Sequence, residues 1–386
     1  MECNTTGFIF DAGSLYHYFQ GLLDVRKKRG RRYNLSIILL LVVLAKLCGQ
    51  DTPYGIADWA KNHKEWLCEV LSLKYSKMPH HSTYRRILAN YEGELERVVT
   101  PFLKQLAEKK QYQLIAIDGK TVRGTITPED PFGLHLLTAY LPETGIALKH
   151  LPVEKEKENE IVIAPKLLAS LNLQDKIVLG DAMQTQRVLS SQIVDAEGDF
   201  VWIVKDNQRN LRQAIELLFA PEKARPGQGS PALDFQTAKT INKDHGRLEE
   251  RTITVSGMLN NYLDWPAVQQ VFKMERRFTH SSTGKTHQET QFGITSLPAE
   301  EANPERMLAL VRSEWGIENG LHYRRDVTFH EDKTRMTRKT IARSMAIINN
   351  LVIALLNVQG FSNHAQARRF FDAKPACALA LISRLT

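Results

Sequence analysis

The chain of 386 residues is long enough for two or three domains, and 43% hydrophobic residues are typical of a folded rather than a disordered protein. Lysine and arginine outnumber aspartate and glutamate by 51 to 43, which favours association with a polyanion. The scattered cysteines (Cys3, Cys48, Cys68 and Cys377) argue against a zinc site and a disulfide framework. The apolar run at 37–45 is too short to cross a bilayer, and residues 1–13 lack a secretory-signal pattern, so we expect a soluble, intracellular protein.

Residues 1–110 are predicted to form an all-helical domain with an accessory or DNA-binding role. Apolar positions recur at helical spacing at 15–23, 35–47, 56–66 and 87–106. Six cations fill seven positions between the first two stretches, and they are candidate ligands of DNA phosphates: Arg26, Lys27, Lys28, Arg29, Arg31 and Arg32. A charge run of this kind is also typical of a solvated loop that binds nothing.

A second candidate DNA contact lies at residues 79–87 (Pro-His-His-Ser-Thr-Tyr-Arg-Arg-Ile). Ser82 is predicted to cap a helix whose first turns present Tyr84, Arg85 and Arg86. A helix-turn-helix offers its reading helix to DNA in this way, although the pattern is degenerate.

From residue 111 the sequence alternates between strands and helices. Apolar runs lead into Asp118 and, through Gly180, into Asp181. A short apolar run before a turn signal predicts a strand buried on both faces. Ligands of open sheets collect outside the carboxyl ends of such strands, so the two aspartates indicate a site, although each could instead only cap a turn.

The predicted order of elements is β-β-β-α-β-α-β, which is that of an RNase H-like fold. The later strands are expected at 134–141, 146–153 and 200–204, and the helices at about 154–173 and 185–197. In this fold the first strand lies beside the fourth, which places Asp118 next to Asp181.

Four parts of the chain are therefore expected. Residues 1–110 form the helical domain and 111–206 the first part of an α/β catalytic core with a mixed sheet and flanking helices. Residues 207–300 form a β-rich insertion, and 301–386 close the core with helices at about 303–325 and 341–358.

The helix predicted after the insertion carries a third acid. At 3.6 residues per turn, Glu318, His322 and Arg325 share one face, with Trp315 beside Glu318. Such a face suggests a site, and the alternative is an ordinary solvated helix face.

Together with Asp118 and Asp181, Glu318 would supply three carboxylates, the ligands that suit Mg²⁺ and a two-ion phosphodiester chemistry. Further groups are expected to hold the DNA backbone: Lys120, Arg123, Lys205, Arg312, His322 and Arg325.

Several longer motifs occur in the same order along the chain, and they lie at 117–120 (IDGK), 158–161 (ENEI), 181–186 (DAMQTQ), 205–208 (KDNQ), 245–247 (HGR), 315–319 (WGIEN), 321–329 (LHYRRDVTF) and 331–332 (ED). Through these motifs nearly the whole chain resembles bacterial insertion-sequence transposases with an Asp-Asp-Glu site, of the H-repeat-associated kind.

The resemblance implies that Asp118, Asp181 and Glu318 are the catalytic and metal-binding triad. It also implies hydrolysis of a phosphodiester at the ends of a DNA element, followed by transfer of the 3′-hydroxyl into target DNA. Two Mg²⁺ ions are expected, for which Mn²⁺ should substitute. The expected partners are double-stranded DNA, as terminal inverted repeats and target, and a second copy of the chain in a homodimer. No membrane partner is expected, and the location would be the bacterial cytoplasm, at the nucleoid when active.

Three positions depart from the family pattern. Glu314 stands where a basic residue or histidine is usual, Tyr323 replaces a tryptophan, and Asp206 replaces a glycine. Glu314 is expected one helical turn before Glu318, near the metals or the DNA. Two other functions therefore stay open: a catalytically degenerate or domesticated DNA-binding protein, and a structure-selective nuclease on the same fold.

Overall fold

The computed structural model describes residues 13–154, 159–220, 234–244, 247–280 and 283–383. Within these ranges the α-helices are α1 Leu15–Gln20, α2 Leu35–Leu47, α3 Pro53–Asn62, α4 Lys64–Val70, α5 His81–Asn90, α6 Glu92–Glu108, α7 Glu160–Leu168, α8 Arg187–Asp195, α9 Arg209–Leu218, α10 Pro304–Glu314, α11 Lys339–Val358, α12 His364–Ala373 and α13 Pro375–Ser383. The strands are β1 Leu114–Val122, β2 Leu134–Leu141, β3 Ile146–Val153, β4 Ile177–Gly180, β5 Asp199–Val204, β6 Gln236–Asp244, β7 Arg247–Ser256, β8 Gln270–His280 and β9 Thr286–Thr295.

The chain divides into two compact units. The first comprises Met1–Tyr112, Gly119–Lys157 and Glu318–Thr386, and the second comprises Gln113–Asp118 and Glu158–Ile317. Strand β1 supplies residues to both units. The finer division at residues 110, 206 and 300 stays a prediction.

The first unit is mostly helical, as predicted for the N-terminal part of the chain. Helix α2 is apolar all round and every one of its residues is buried, which is typical of a helix at the centre of a core. Helix α11 is long and apolar enough to cross a membrane, but 83% of its apolar window is buried. It packs against α6 and β3, so it is a core helix, and the prediction that a last apolar helix covers the sheet is confirmed.

The helix boundaries differ from the predicted ones in two places. The stretch at 56–66 belongs to two helices that meet at His63, and the stretch at 87–106 belongs to two that meet at Tyr91. The prediction that Ser82 caps α5 was wrong. The cap is His80, whose ring nitrogen Nδ1 accepts a hydrogen bond from the Ser82 backbone N–H.

The strand order confirms the RNase H-like prediction for a mixed sheet. In the first unit, β2 pairs antiparallel with β3, and β2 neighbours β1. In the second unit, β1 and β5 flank β4 with parallel pairing. The β-rich segment then continues the sheet through antiparallel neighbours in the order β5-β9-β8-β7-β6. Strand β6 was not predicted, because its sequence is mostly polar.

The core of the second unit contains a polar contact between two indoles and one hydroxyl. Trp202 of β5 is fully buried, and its Nε1–H donates to Ser190 Oγ of α8 at 2.9 Å. Trp265 Nε1–H donates to the same oxygen at 3.1 Å. Ser190 therefore fixes α8 against two large side chains without leaving a buried donor unpaired.

Ser190→Ala should lower the unfolding midpoint of the protein. It removes the acceptor of two buried N–H groups, and each buried donor left unpaired costs about 1–3 kcal/mol. Thermal unfolding followed by tryptophan fluorescence measures the effect. Ser313→Ala is the control, because the Ser313 hydroxyl donates only to Ala309 within an exposed turn of α10. An unchanged midpoint for Ser190→Ala would contradict the assignment.

Candidate functional site

Two aspartates occupy adjacent positions on paired strands in the second unit. Strands β1 and β4 run parallel, with Ile117 opposite Gly180. Asp181 follows the end of β4, and Asp118 follows the last β1 residue that pairs with β4, although β1 itself continues to Val122. The residues that precede them are buried, whereas both aspartates are partly accessible to solvent. The prediction that the two strands are neighbours is confirmed, but the expectation that Asp118 ends its strand was wrong, because β1 extends four residues beyond it.

Asp181 also caps a turn. Its Oδ1 accepts hydrogen bonds from the backbone N–H groups of Met183 at 2.9 Å and Gln184 at 3.4 Å. The alternative of a capping aspartate is thus correct for Asp181, but it does not exclude a site. Both bonds use Oδ1, which leaves Oδ2 as the oxygen able to bind a ligand.

Burial and a neighbouring acid both act on Asp181. Burial raises the pKa of the Asp181 carboxyl, the two backbone N–H groups lower it, Glu160 raises it and Lys205 lowers it. Glu160 begins α7 and accepts a hydrogen bond from the Gln184 side chain at 2.9 Å. A cation bound beside Asp181 would stabilise its anion against the effects of burial and of the nearby acid.

Glu160 is the functional candidate that sequence reasoning left without a role. Its motif was recognised at 158–161, but Glu158 lies outside the described residues and no spacing rule connects Glu160 with Asp181. The sequence feature that could have identified Glu160 is its position as an acid in the first turn of a helix. Asn159 caps this helix by accepting a hydrogen bond from the Val162 N–H.

Gly180 allows the end of β4, directly before Asp181, to pack closely against neighbouring side chains. A Cβ on Gly180 would lie 2.7 Å from Trp202 Cζ3 and 3.0 Å from Gln184 Cβ. Since real Cβ atoms do not come this close to a buried ring, only glycine allows β4 to end where it does.

Glu318 lies in the first unit on a π-helical turn. Helix α10 ends at Glu314, and the regular helix predicted to reach residue 325 is replaced by π-helical turns at Glu318–His322 and Arg324–Thr328. The prediction of one continuous α-helix was wrong here, and π-helical turns occur frequently at functional sites. The expectation that Glu314 lies one regular turn before Glu318 therefore does not hold.

The Glu318 carboxylate is exposed and bound to a buried histidine. Glu318 Oε2 lies 3.1 Å from His322 Nδ1, with 70% of the Glu318 side chain exposed and 4% of the His322 side chain. This hydrogen bond and the nearby Lys120 hold the pKa of Glu318 below its usual range. Burial lowers the pKa of His322. His322 therefore orients the Glu318 carboxylate from its buried side. Because the His322 side chain is itself buried, it is not accessible for the predicted contact with DNA.

The π-turn packs tightly on strand β2. A Cβ on Gly320 would overlap the hydroxyl group of Tyr140. Glycine at this position lets the turn pack directly against the edge of the tyrosine ring. This contact fixes the position of Glu318 relative to β2.

Arg325 has a structural role instead of the predicted contact with DNA. Its side chain is fully buried, and its guanidinium is paired with Glu331, with Nη2 and Oε2 2.7 Å apart. Asn349 of α11 donates to the same carboxylate at 2.9 Å. A phosphate could reach Arg325 only after this buried pair was broken, so the prediction is corrected.

The other cations predicted around the acids differ in accessibility. Lys120 is mostly buried and bound to Asp326 at 2.6 Å. Arg123, Lys205 and Arg312 are exposed, and Lys205 lies close enough to Asp181 to lower its pKa.

The end of α10 is supported by a stacked arginine in the second unit. Arg276 of β8 lies over the ring of Trp315 at 4.6 Å and over Phe278 at 5.0 Å. Its guanidinium is paired with Glu249. This contact anchors the chain three residues before Glu318, and Trp315 is thus a packing residue of the second unit.

The N-terminal cations differ in the contacts that they make within the protein. Arg26 is bound to Asp24 at 2.7 Å, and Arg31 donates to the backbone carbonyls of Arg26 and Asp24. Arg31 is exposed despite these bonds, as are Lys27, Lys28, Arg29 and Arg32, and Arg32 donates to Ser76 Oγ at 3.3 Å.

In α5 the structure separates three residues that the sequence grouped together. Arg85 and Arg86 are exposed, but Tyr84 is fully buried and is not presented as predicted. Residues 245 and 246 of the motif at 245–247 lie outside the described residues.

Known proteins resemble the chain over most of its length. Residues 109–355 match the family described as transposase DDE domain, and residues 16–102 match the one described as DDE_Tnp_1-associated. "Putative transposase YncI" of Escherichia coli O157:H7 is 28% identical over 349 residues, which cover 89% of this chain and 87% of that protein. "H repeat-associated putative transposase YhhI" of Escherichia coli K12 is 26% identical over 342 residues, or 86% of this chain and 87% of that protein. A shorter protein of the same strain, also named "Putative transposase YncI", is 31% identical over 247 residues, or 64% of this chain and 96% of its own length.

Gly320→Ala should displace Glu318 and reduce Mg²⁺-dependent DNA cleavage, the activity that the resemblance implies, by about 100-fold, since a shift of about 1 Å in a positioned group can have that effect. Gly93→Ala is the matched control, because a Cβ on Gly93 of α6 meets nothing within 4 Å.

The double variant Gly320→Ala, Tyr140→Phe removes the overlapping hydroxyl and should recover part of the activity. Full activity of Gly320→Ala alone would show that the turn does not need glycine.

Proposed function

Because the chain belongs to the transposase DDE domain family, we propose that it hydrolyses a phosphodiester at the ends of a DNA element and then joins the freed 3′-hydroxyl to target DNA. The observation that carries the proposal is the pair Asp118 and Asp181, which directly follow the facing residues Ile117 and Gly180 of the parallel strands β1 and β4, in a chain of this family. Glu318 acts with them as the third catalytic acid.

The donor atoms of these residues fit a hard divalent cation. All three acids offer carboxylate oxygens, which Mg²⁺ prefers, and Mg²⁺ keeps positions for water and phosphate oxygens. Asp181 has Oδ2 available for this purpose, and the hydrogen bond with His322 holds the pKa of Glu318 below its usual range, which favours the anion. When bound, two Mg²⁺ ions would polarise the attacking water and stabilise the leaving oxygen, and we expect Mn²⁺ to substitute.

The protein's own groups bind and orient the DNA strand. The exposed Lys205 lies at the same sheet edge as Asp181 and would pair with a backbone phosphate, as would Arg123 and Arg312. His322 holds the Glu318 carboxylate in one orientation, so that less conformational freedom is lost when substrate binds.

The partners follow from the same chemistry. The substrate is double-stranded DNA, as the terminal inverted repeats of the element and as the target. Two ends must be cut and joined together, which favours a homodimer, and the reaction would take place in the cytoplasm at the nucleoid. The departure at Glu314 supports a second hypothesis, a degenerate copy that binds DNA without cutting it, because an extra acid repels the backbone.

Asp118→Asn, Asp181→Asn and Glu318→Gln should each abolish Mg²⁺-dependent cleavage while DNA binding stays largely intact, because each removes one anionic ligand and keeps the side-chain shape. The measurement is cleavage of labelled DNA that carries the native element's flanking sequences, with binding followed on the same DNA.

Asp175→Asn is the control for this series. Asp175 is exposed in the turn before β4, at the opposite end of that strand from Asp181, and asparagine tolerates its left-handed φ of 57°. Full activity in one of the three variants removes that residue from the triad. Specific binding without cleavage by the unaltered protein, in Mg²⁺ or Mn²⁺, would favour the degenerate copy, and cleavage governed by DNA structure rather than by the element ends would favour the nuclease.

Replacing Lys28 and Arg29 with alanine should flatten the salt dependence of DNA binding. If both contact phosphates, the log–log slope should lose about 0.9 for each, whatever the DNA sequence. The double variant Arg369→Ala, Lys374→Ala removes two exposed cations from α12 and its C-cap and serves as a charge-matched control. Equal slopes for the two double variants would identify the N-terminal run as a solvated loop.

A further inference from the structure

A wide cleft opens among the N-terminal helices of the first unit. Its volume is about 1410 Å³, and it is lined by parts of three segments, at 25–33, 54–64 and 76–91. Helix α3 contributes Tyr54, Asp58 and Lys61, which lie on one helical face at successive turns. The cleft belongs to the region that matches the family described as DDE_Tnp_1-associated, and none of the three catalytic acids lines it.

The charge of the cleft is strongly positive. Seven cationic side chains line it against one carboxylate, Asp58, and the seven are Arg26, Lys27, Arg32, Lys61, Lys64, Lys77 and Arg86. Arg26 is neutralised by Asp24, but Lys61, Lys77 and Arg86 are exposed. A concave surface lined by one sign of charge concentrates the field and attracts a polyanion.

The same cleft contains an aromatic cluster in which Tyr54 and His80 are exposed and His81 is half-buried. Tyr54 has 62% of its surface exposed, and its ring centre lies 5.4 Å from that of His81. The His80 and His81 rings are 4.0 Å apart. A single exposed tyrosine is common on protein surfaces. A ligand that consisted only of phosphate groups would gain little from contact with aromatic rings. Three rings beside the cations indicate a ligand that has both phosphates and flat faces.

We propose that this cleft binds an unpaired strand of DNA, with a base stacked on Tyr54 and the backbone held by Lys61, Lys64 and Arg86. Stacking requires a base whose face is open, and the faces of bases inside a duplex are covered by their neighbours. Aromatic platforms in a cationic groove bind single strands in this way, with little dependence on sequence. Arg86 lines the cleft whereas Arg85 does not. Helix α5 therefore presents only one of its faces to the bound DNA strand. The proposal is independent of the chemistry assigned to the three acids.

Fluorescence anisotropy with labelled thymidine oligonucleotides of about 12 nucleotides tests the proposal on the full chain. Tyr54→Ala should weaken binding of the single strand by roughly 5- to 150-fold, which corresponds to the loss of one stacked base. Tyr54→Phe keeps the ring and should retain the affinity. Tyr262→Ala is the matched control, because Tyr262 has 75% of its surface exposed in the second unit.

An abasic oligonucleotide of the same length separates stacking from charge. It should bind the unaltered protein about as weakly as thymidine oligonucleotide binds Tyr54→Ala, and Tyr54→Ala should weaken it no further. The double variant Lys61→Ala, Lys64→Ala should flatten the salt dependence for both strands. Equal affinity for the abasic and the base-bearing strand, or an equal effect of Tyr54→Ala on a duplex, would overturn the proposal.

Discussion

The parallel pairing of β1 with β4 is the contact on which the position of the two aspartates depends. Both strands are apolar up to their last paired residues, Ile117 and Gly180, and are buried on both faces. A slip of one residue in this register would bring a residue other than Asp118 beside Asp181. Burial of the apolar residues stabilises the pairing, and the pairing in turn places the two carboxylates at adjacent, partly solvent-accessible positions.

Much of the core was predictable because its signals are local. Apolar runs that end in Asp118 and Asp181 identify strands, and a known order of elements makes them neighbours. The π-helical turn at Glu318 was not predictable, since a period of 3.6 residues assumes regular α-helical bonding. The burial of Arg325 depends on Glu331 and Asn349, which no spacing rule links to it. Tyr54 likewise acquires its surroundings from three separate segments.

The first unit keeps several charges in its interior. Lys46 and Arg368 share the carboxylate of Asp51, at 2.7 Å each, and burial lowers the pKa of Lys46 to about 8. Such pairs add little net stability because desolvation opposes their attraction, although loss of one partner is costly. Together with Arg325 they mean that the formal charge of +8 is a poor guide to the cations that meet DNA. Among the described residues, accessible cations line the N-terminal cleft and the run beside it, and Lys205 lies near Asp181.

Gly180 and Gly320 have a consequence for how copies of such a gene lose function. Neither glycine has a side chain that could take part in chemistry, yet each one permits a close approach that no other residue allows. If the three acids act as proposed, random mutation has inactivating targets beyond them. A copy that encodes every acid would then be inert after loss of either glycine, and a survey of genomes that scores only the acids would overcount the active copies.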